Sequence, residues 1–190
     1  MDHTNKTDEE IVLLIKKGDS ELFGELVKRY EAKLKRYAHK FLFDRNDRDD
    51  LVQDVFIKAY INLQSFDNDK KFSPWIYRIA HNTYVNALKK KLTDKVFPID
   101  FDTFLPHPRA LETADSESEK EYTRTMLDKN IKSIDPKYRE PLILYFYEEM
   151  DYKEIAEVLG VPVSTVGVRI KRGKEKLKEI LSKNNFVYEK

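Results

Sequence analysis

Cysteine is absent from the 190-residue chain, which excludes a disulfide framework and any thiolate metal site. Glycine and proline are scarce, 5 and 7 residues, and mostly fall between periodic stretches, so little interrupts helix formation. No apolar run is long enough to span a bilayer and no signal peptide is recognisable; the expectation is a soluble, cytoplasmic protein without membrane insertion. No internal repeat is visible. A hydrophobic fraction of 41% suffices for folded cores, and the length fits two small domains better than one large one. The net charge of +1 conceals an acidic middle, since residues 95–127 carry 4 Lys+Arg against 7 Asp+Glu.

The most informative stretch is 151–181, DYKEIAEVLGVPVSTVGVRIKRGKEKLKEIL. Ile155, Ala156 and Leu159 give a short helix one apolar face, and Gly160 ends it because glycine tolerates positive φ. Val161 and Pro162 turn the chain, and Ser164 is read as the N-cap of a second helix with an inward stripe of Val166, Ile170, Gly173, Leu177, Ile180 and Leu181. Thr165, Gly167, Val168, Arg169, Lys171, Arg172, Lys174 and Lys176 are left outward, a basic flank suited to phosphates and base edges in a major groove. This is the pattern of a helix-turn-helix. A three-helix core unit with a merely solvated basic face is the alternative.

In the first half, Thr7 and Glu10 have capping-box spacing before Ile11, Leu14 and Ile15, Gly18 closes that helix, and Asp19 caps the next. A second stripe runs from Phe23 to Phe41. A third helix, after a polar turn at residues 44–47, turns Leu51, Val52, Val55, Phe56, Ala59, Tyr60 and Leu63 inward. Off that stripe, Asp50, Gln53 and Asp54 form one polar patch at three- and four-residue steps, either plain surface or a docking site. Asp49, Asp50 and Asp54 also loosely resemble a magnesium-holding cluster, but no second acidic cluster, glycine-rich phosphate loop or histidine pair completes it.

After the loop SFDNDKKF, Ser73 and Pro74 are read as N-cap and first residue of a fourth helix. Ile76, Ile79, Ala80, Thr83 and Ala87 suit its core face. Tyr77, Arg78, His81, Asn82, Tyr84, Val85 and Asn86 then lie wholly or partly outward, followed by Lys89, Lys90 and Lys91. Rings interleaved with amides and cations suit single-stranded nucleic acid, since bases stack on aromatics for about 1–3 kcal/mol each. The other reading has Trp75 and the tyrosines filling a bundle core.

DDLVQDVFIKAY at 49–60, SFDNDKKFSPWIYRIAHN at 65–82 and DYKEIAEVLGVPVSTVGVRIKRG at 151–173 together resemble the extracytoplasmic-function sigma factors of bacterial RNA polymerase, over almost the whole chain. The resemblance implies an all-α fold of two small domains: residues 1–91, binding core polymerase and the minus-ten element; an acidic linker, 92–121; and residues 122–190, a helix-turn-helix domain for the minus-thirty-five element. It implies that Asp50, Gln53 and Asp54 dock on the clamp coiled coil of the largest polymerase subunit. Phe66, Asn68, Lys70 and Lys71 belong to the loop that captures a flipped base. Tyr77, Arg78, His81, Asn82 and Asn86 belong to the melting helix, with Trp75, Lys89 and Lys90 beside them, and Ser164, Thr165, Arg169, Lys171 and Arg172 to the minus-thirty-five reader. An anti-sigma factor is an implied partner. No catalytic residue, cofactor or metal is called for.

Asn86 stands where the family usually has aspartate, Gly167 where lysine is common and Val168 where serine is common, departures that bear on promoter sequence. The linker holds Pro98, Pro106 and Pro108, and its Phe97, Phe101, Phe104 and Leu105 among acids resemble the segment that threads the polymerase cleft; an acidic tether is the alternative. Beyond it, Pro141 is expected to bend a helix that runs to Glu149. A stand-alone helix-turn-helix regulator and a magnesium-dependent enzyme are the two other function classes.

Overall fold

The computed structural model describes residues 5–39, 45–93, 117–130 and 133–188, whose regular structure is entirely helical. Two compact units divide between Ile99 and Asp100. The first holds α1 (Asp8–Lys16), α2 (Phe23–His39), α3 (Arg45–Asn62) and α4 (Phe72–Thr93); the second holds α5 (Glu117–Asn130), α6 (Pro136–Phe146), α7 (Tyr152–Leu159) and α8 (Val163–Tyr188).

Helix α1 starts where its sequence directs: the Thr7 hydroxyl accepts from the Glu10 N–H at 3.2 Å and the Glu10 carboxylate from the Thr7 N–H at 2.8 Å. Its buried Ile11, Val12 and Ile15 face the bundle, and Asp8 ties it to α2 by accepting from the Tyr30 hydroxyl at 2.5 Å and from Arg29 at 2.8 Å. Burial alone would lower the Arg29 pKa, but the hydrogen bonds and charges of Asp8 and Glu25 outweigh it and raise it. Gly18, at φ 118°, ends the helix as expected. Asp19 makes no side-chain cap; its carbonyl instead opens a 3₁₀ turn, Ser20–Leu22, leading into α2.

Helices α2, α3 and α4 pack on a core of Leu26, Leu34, Val55, Ala59, Ile76 and Ala80, all fully buried. A cluster of rings fills the rest: Tyr37 meets Tyr77 at 5.2 Å and Tyr84 at 5.6 Å, while Phe72 lies within 5.8 Å of Tyr30, Phe66 and Trp75. Each such ring contributes roughly 1.5–3 kcal/mol of burial. Tyr60 departs from the predicted stripe and stands half exposed, with one edge against Phe23 at 5.0 Å.

In the second unit, α6 and α7 pack on α8 through Leu142, Ile143, Phe146, Ile155, Val166, Ile170 and Leu177. A capping box between Asp151 and Glu154 starts α7, and Gly160 ends it at φ 64°, ψ 34°. Asp135 caps α6, its carboxylate accepting from the Lys137 N–H at 3.1 Å. That helix stops at Phe146, short of the expected Glu149, and Glu149 itself takes a left-handed φ of 54°.

The acidic residues 117–121, read as linker, instead form the first turn of α5. Carboxylates there suit the helix dipole, and Glu117 and Glu121 reach Arg124 at 3.7 and 3.5 Å. Helix α4 likewise runs past residue 91 to Thr93. Phe41, Phe97, Phe101, Phe104 and Leu105 lie outside the described residues.

Candidate functional site

Three exposed surfaces carry the residues singled out by sequence. On α3, Asp50, Gln53 and Asp54 are all exposed, as their spacing required. The same face continues into apolar residues whose role the sequence reading missed: Ile57 is 56% exposed and Ile61 70%. Positions 50, 54, 57 and 61 recur at helical steps, so two carboxylates and two isoleucines make one stripe. The signal was present in the sequence as isoleucines off the core period. Asp49, by contrast, pairs with Lys35 at 3.3 Å, and hydrogen bonds to Glu31 and Asp49 raise the pKa of that lysine. Among the described residues no three ligating side chains converge to hold a metal ion.

The second surface joins the loop at residues 66–71 to the outer side of α4. Arg78, Asn82, Asn86, Lys89 and Lys90 are exposed along that side, with His81 and Trp75 partly so. Tyr77, predicted outward as a stacking platform, is a correction: it is 0% exposed and packed on Tyr37, because α2 crosses α4 there and buries the ring. Tyr84 is buried too, its hydroxyl donating to the Leu34 carbonyl at 3.3 Å. Phe66, predicted to line a base pocket, is only 4% exposed, its ring against Phe72 and Trp75 at 5.8 and 5.2 Å. What the loop offers outward is its polar part, with Asp67, Asp69, Lys70 and Lys71 exposed and Asn68 half-buried.

The start of α4 also differs. It begins at Phe72, whose N–H donates to the Glu9 carboxylate at 2.8 Å; Ser73 therefore lies inside the first turn and is not its cap. Pro74 sits where a missing N–H is harmless. Farther along, Thr83 is buried and accepts from Lys58 Nζ at 3.0 Å.

The third surface is the first half of α8. Helix α8 starts at Val163, with the Pro162 carbonyl accepting from the Thr165 and Val166 N–H groups at 2.9 and 3.2 Å. Ser164 thus lies in the first turn and is not the N-cap. Gly167, also predicted outward, is buried. Lys171 and Arg172 are exposed, while Thr165 and Arg169 are partly so. Thr165, Arg169, Arg172 and Lys176 share one stripe beside the buried one of Val166, Ile170, Gly173 and Leu177.

An acidic-apolar face, a polar loop-helix surface and a basic helix-turn-helix can be set against known proteins. The family model for sigma-70 region 2 matches residues 26–92, and that for sigma-70 region 4 matches residues 124–177. The chain belongs to the extracytoplasmic-function sigma factors. The ECF RNA polymerase sigma factor SigW of Bacillus subtilis (strain 168) is 33% identical over 181 residues, covering 88% of this chain and 92% of its own. The ECF RNA polymerase sigma-E factor of Escherichia coli (strain K12) is 33% identical over 175 residues, covering 89% and 91%. Among solved structures, CnrH in complex with the cytosolic domain of CnrY superposes with a TM-score of 0.65 at 27% identity over 93% of this chain and 98% of that one. This sigma factor is thus a promoter-directing subunit of RNA polymerase, and no helix among its described residues is long and apolar enough to cross a membrane.

Proposed function

We propose that the three surfaces divide the work of initiation. The exposed stripe of Asp50, Gln53, Asp54, Ile57 and Ile61 docks on the clamp coiled coil of the largest polymerase subunit, its carboxylates facing cations and its isoleucines apolar side chains. The loop at residues 66–71 and the outer side of α4, with Arg78, His81, Asn82, Asn86, Lys89 and Lys90, hold the unpaired minus-ten strand and help to melt it. Thr165, Arg169, Lys171 and Arg172 on α8 enter the major groove at the minus-thirty-five element, with Ser164 at the edge of that contact. The sigma factor has no catalytic residue of its own and acts in the cytoplasm, where the polymerase performs the chemistry.

The observation that carries this reading is the stripe on α3. Two isoleucines continuous with two carboxylates leave more than half of their surface exposed among the described residues and so cost solubility, whereas a partner helix would bury them. Reversal of Asp50 and Asp54 to Lys is expected to abolish capture of core polymerase, while circular dichroism and thermal melting stay nearly unchanged. Full retention of polymerase by the double reversal removes the stripe from the mechanism. An anti-sigma factor is a further partner in this reading; the neighbour CnrH was solved in a complex, with the cytosolic domain of CnrY.

A further inference from the structure

Helix α1 lies outside the residues matched by the region 2 model, yet it grips the base-capturing loop at both ends. At its C-terminal end Lys16 Nζ donates to the Phe66 carbonyl at 2.5 Å and to Asn68 Oδ1 at 2.9 Å, and the ammonium lies 5.7 Å from the centre of the Phe66 ring. At its N-terminal end Glu9 accepts the Phe72 N–H at 2.8 Å. Between these anchors the loop is closed by its own bonds, Lys70 N–H to the Asp67 carbonyl at 3.0 Å and Asp69 N–H to the Asp67 carboxylate at 3.1 Å. The platform is itself fixed, since Asp8 holds Tyr30 and Arg29 of α2.

An ammonium has three donors and no acceptor, so the Asn68 atom in contact with Lys16 is necessarily the carbonyl oxygen. The amide plane is thereby set one way round. Among the described residues no group accepts from Asn68 Nδ2, so its two hydrogens are available to a ligand. A free asparagine can flip and present either an acceptor or donors to a base edge. A clamped one is held one way round, with one lone pair of Oδ1 already taken and the Nδ2 hydrogens on the other side of the amide.

We propose that Lys16 is a positioning residue for base recognition: by holding Asn68 Oδ1 it makes Asn68 a one-way donor, so that the loop selects a captured base by the acceptor atoms on its edge. The inference rests on the reading of residues 66–71 as the base-capturing loop. Because the discrimination depends on a fixed orientation, losing the clamp relaxes base preference even where the loop still binds. A side chain that merely stabilised the loop would change affinity for all bases alike.

The test uses the full chain assembled with core polymerase and fluorescent fork-junction promoters carrying each of the four bases in turn at each single-stranded minus-ten position. Lys16→Met is expected to lower the affinity ratio between preferred and next-preferred base by about tenfold at one position, the size of a lost base contact. Asn68→Ala should lower the same ratio at the same position, and the double variant should lose no more than Asn68→Ala alone. Lys16→Arg, which keeps a donor there, should restore most of the ratio. If Asn68→Ala relaxes the preference but Lys16→Met leaves it intact, the positioning role is overturned and the loop assignment stands. A uniform loss over all four bases in Lys16→Met, with Lys16→Arg no better, also overturns it. If neither Asn68→Ala nor Lys16→Met changes any ratio, the loop assignment falls and the positioning role with it.

Discussion

Glu149 occupies the left-handed region at φ 54°, which a side chain disfavours by about 1–2 kcal/mol. The chain accepts that cost to leave α6, where the Tyr147 N–H reaches the Ile143 carbonyl at 2.9 Å and the Met150 N–H the Leu144 carbonyl at 3.1 Å. Partial compensation comes from Arg124, which donates to the Glu149 carboxylate at 2.9 Å, a surface pair worth at most about 1 kcal/mol. Glu149→Gly is therefore expected to raise the stability of the second unit by up to about 1 kcal/mol, read as a higher melting temperature of the full chain. A lower one would mean that the lost Arg124 pair and the extra freedom glycine gives the unfolded chain together outweigh the backbone strain. Tyr77 illustrates the opposite burial outcome. With its ring inside the bundle, Tyr77→Ala should cost about 3–5 kcal/mol of stability, as loss of a core aromatic does, and its transcription defect should track unfolding. A Tyr77→Ala protein that melts like the parent yet fails to open promoters would return the ring to the DNA.

The element that most depends on a single small residue is α8. A Cβ built on Gly173 would lie 2.7 Å from Leu142 Cδ1, and Leu142 is fully buried in α6, with little room to move. Alanine there would gain about 1 kcal/mol of helix propensity and lose about 1–3 kcal/mol to overpacking, so Gly173→Ala is expected to destabilise the second unit slightly. Pairing it with Leu142→Ala tests the cause in a double-mutant cycle. The two changes should be less damaging together than the sum of the singles, because each relieves the space the other disturbs. Additive losses would place the strain elsewhere. Gly173 thus lets α6 approach α8 closely right beside Arg172.

At the scale of the whole molecule, buried and half-buried phenols give both units a common weakness at high pH. Tyr30 and Tyr84 in the first unit and Tyr147 in the second have pKa values raised above the ordinary 10.0, chiefly by burial, with hydrogen bonds to Asp8 and Asp128 adding at Tyr30 and Tyr147. Folding keeps these groups protonated while the unfolded chain ionises them near pH 10. Their stabilising contribution is thus complete below pH 10 and is lost as pH rises above it, by at most about 1.4 kcal/mol per pH unit for each of the buried Tyr30 and Tyr84 and by less for the half-exposed Tyr147. Urea melts between pH 9 and 12 should show that decline, and Tyr84→Phe should make the decline of the first unit shallower by the share of one phenol. An unchanged slope in that variant would mean that Tyr84 ionises in the folded state as freely as in the unfolded one.

Much of this protein was determined by residues close together in sequence. The helical class, the capping box at Thr7, the left-handed turn at Gly160 and the helix-turn-helix all rest on spacings of three or four residues, which a helix reproduces whatever surrounds it. The exposed patch at Asp50, Gln53 and Asp54 was legible for the same reason, and the family likeness followed from three such stretches in order. What required the tertiary structure was any choice between two sides of a helix that both carry large side chains. On α4 the aromatic positions fit a core and a nucleic-acid surface equally well, and only the crossing of α2 decided that Tyr77 and Tyr84 belong inside. The start of α4 at Phe72 depended on a carboxylate from α1, and the tie between Lys16 and Asn68 joins residues 52 positions apart. Contacts at that separation leave no period in the chain, because they are fixed by how the helices pack and not by how any one of them repeats.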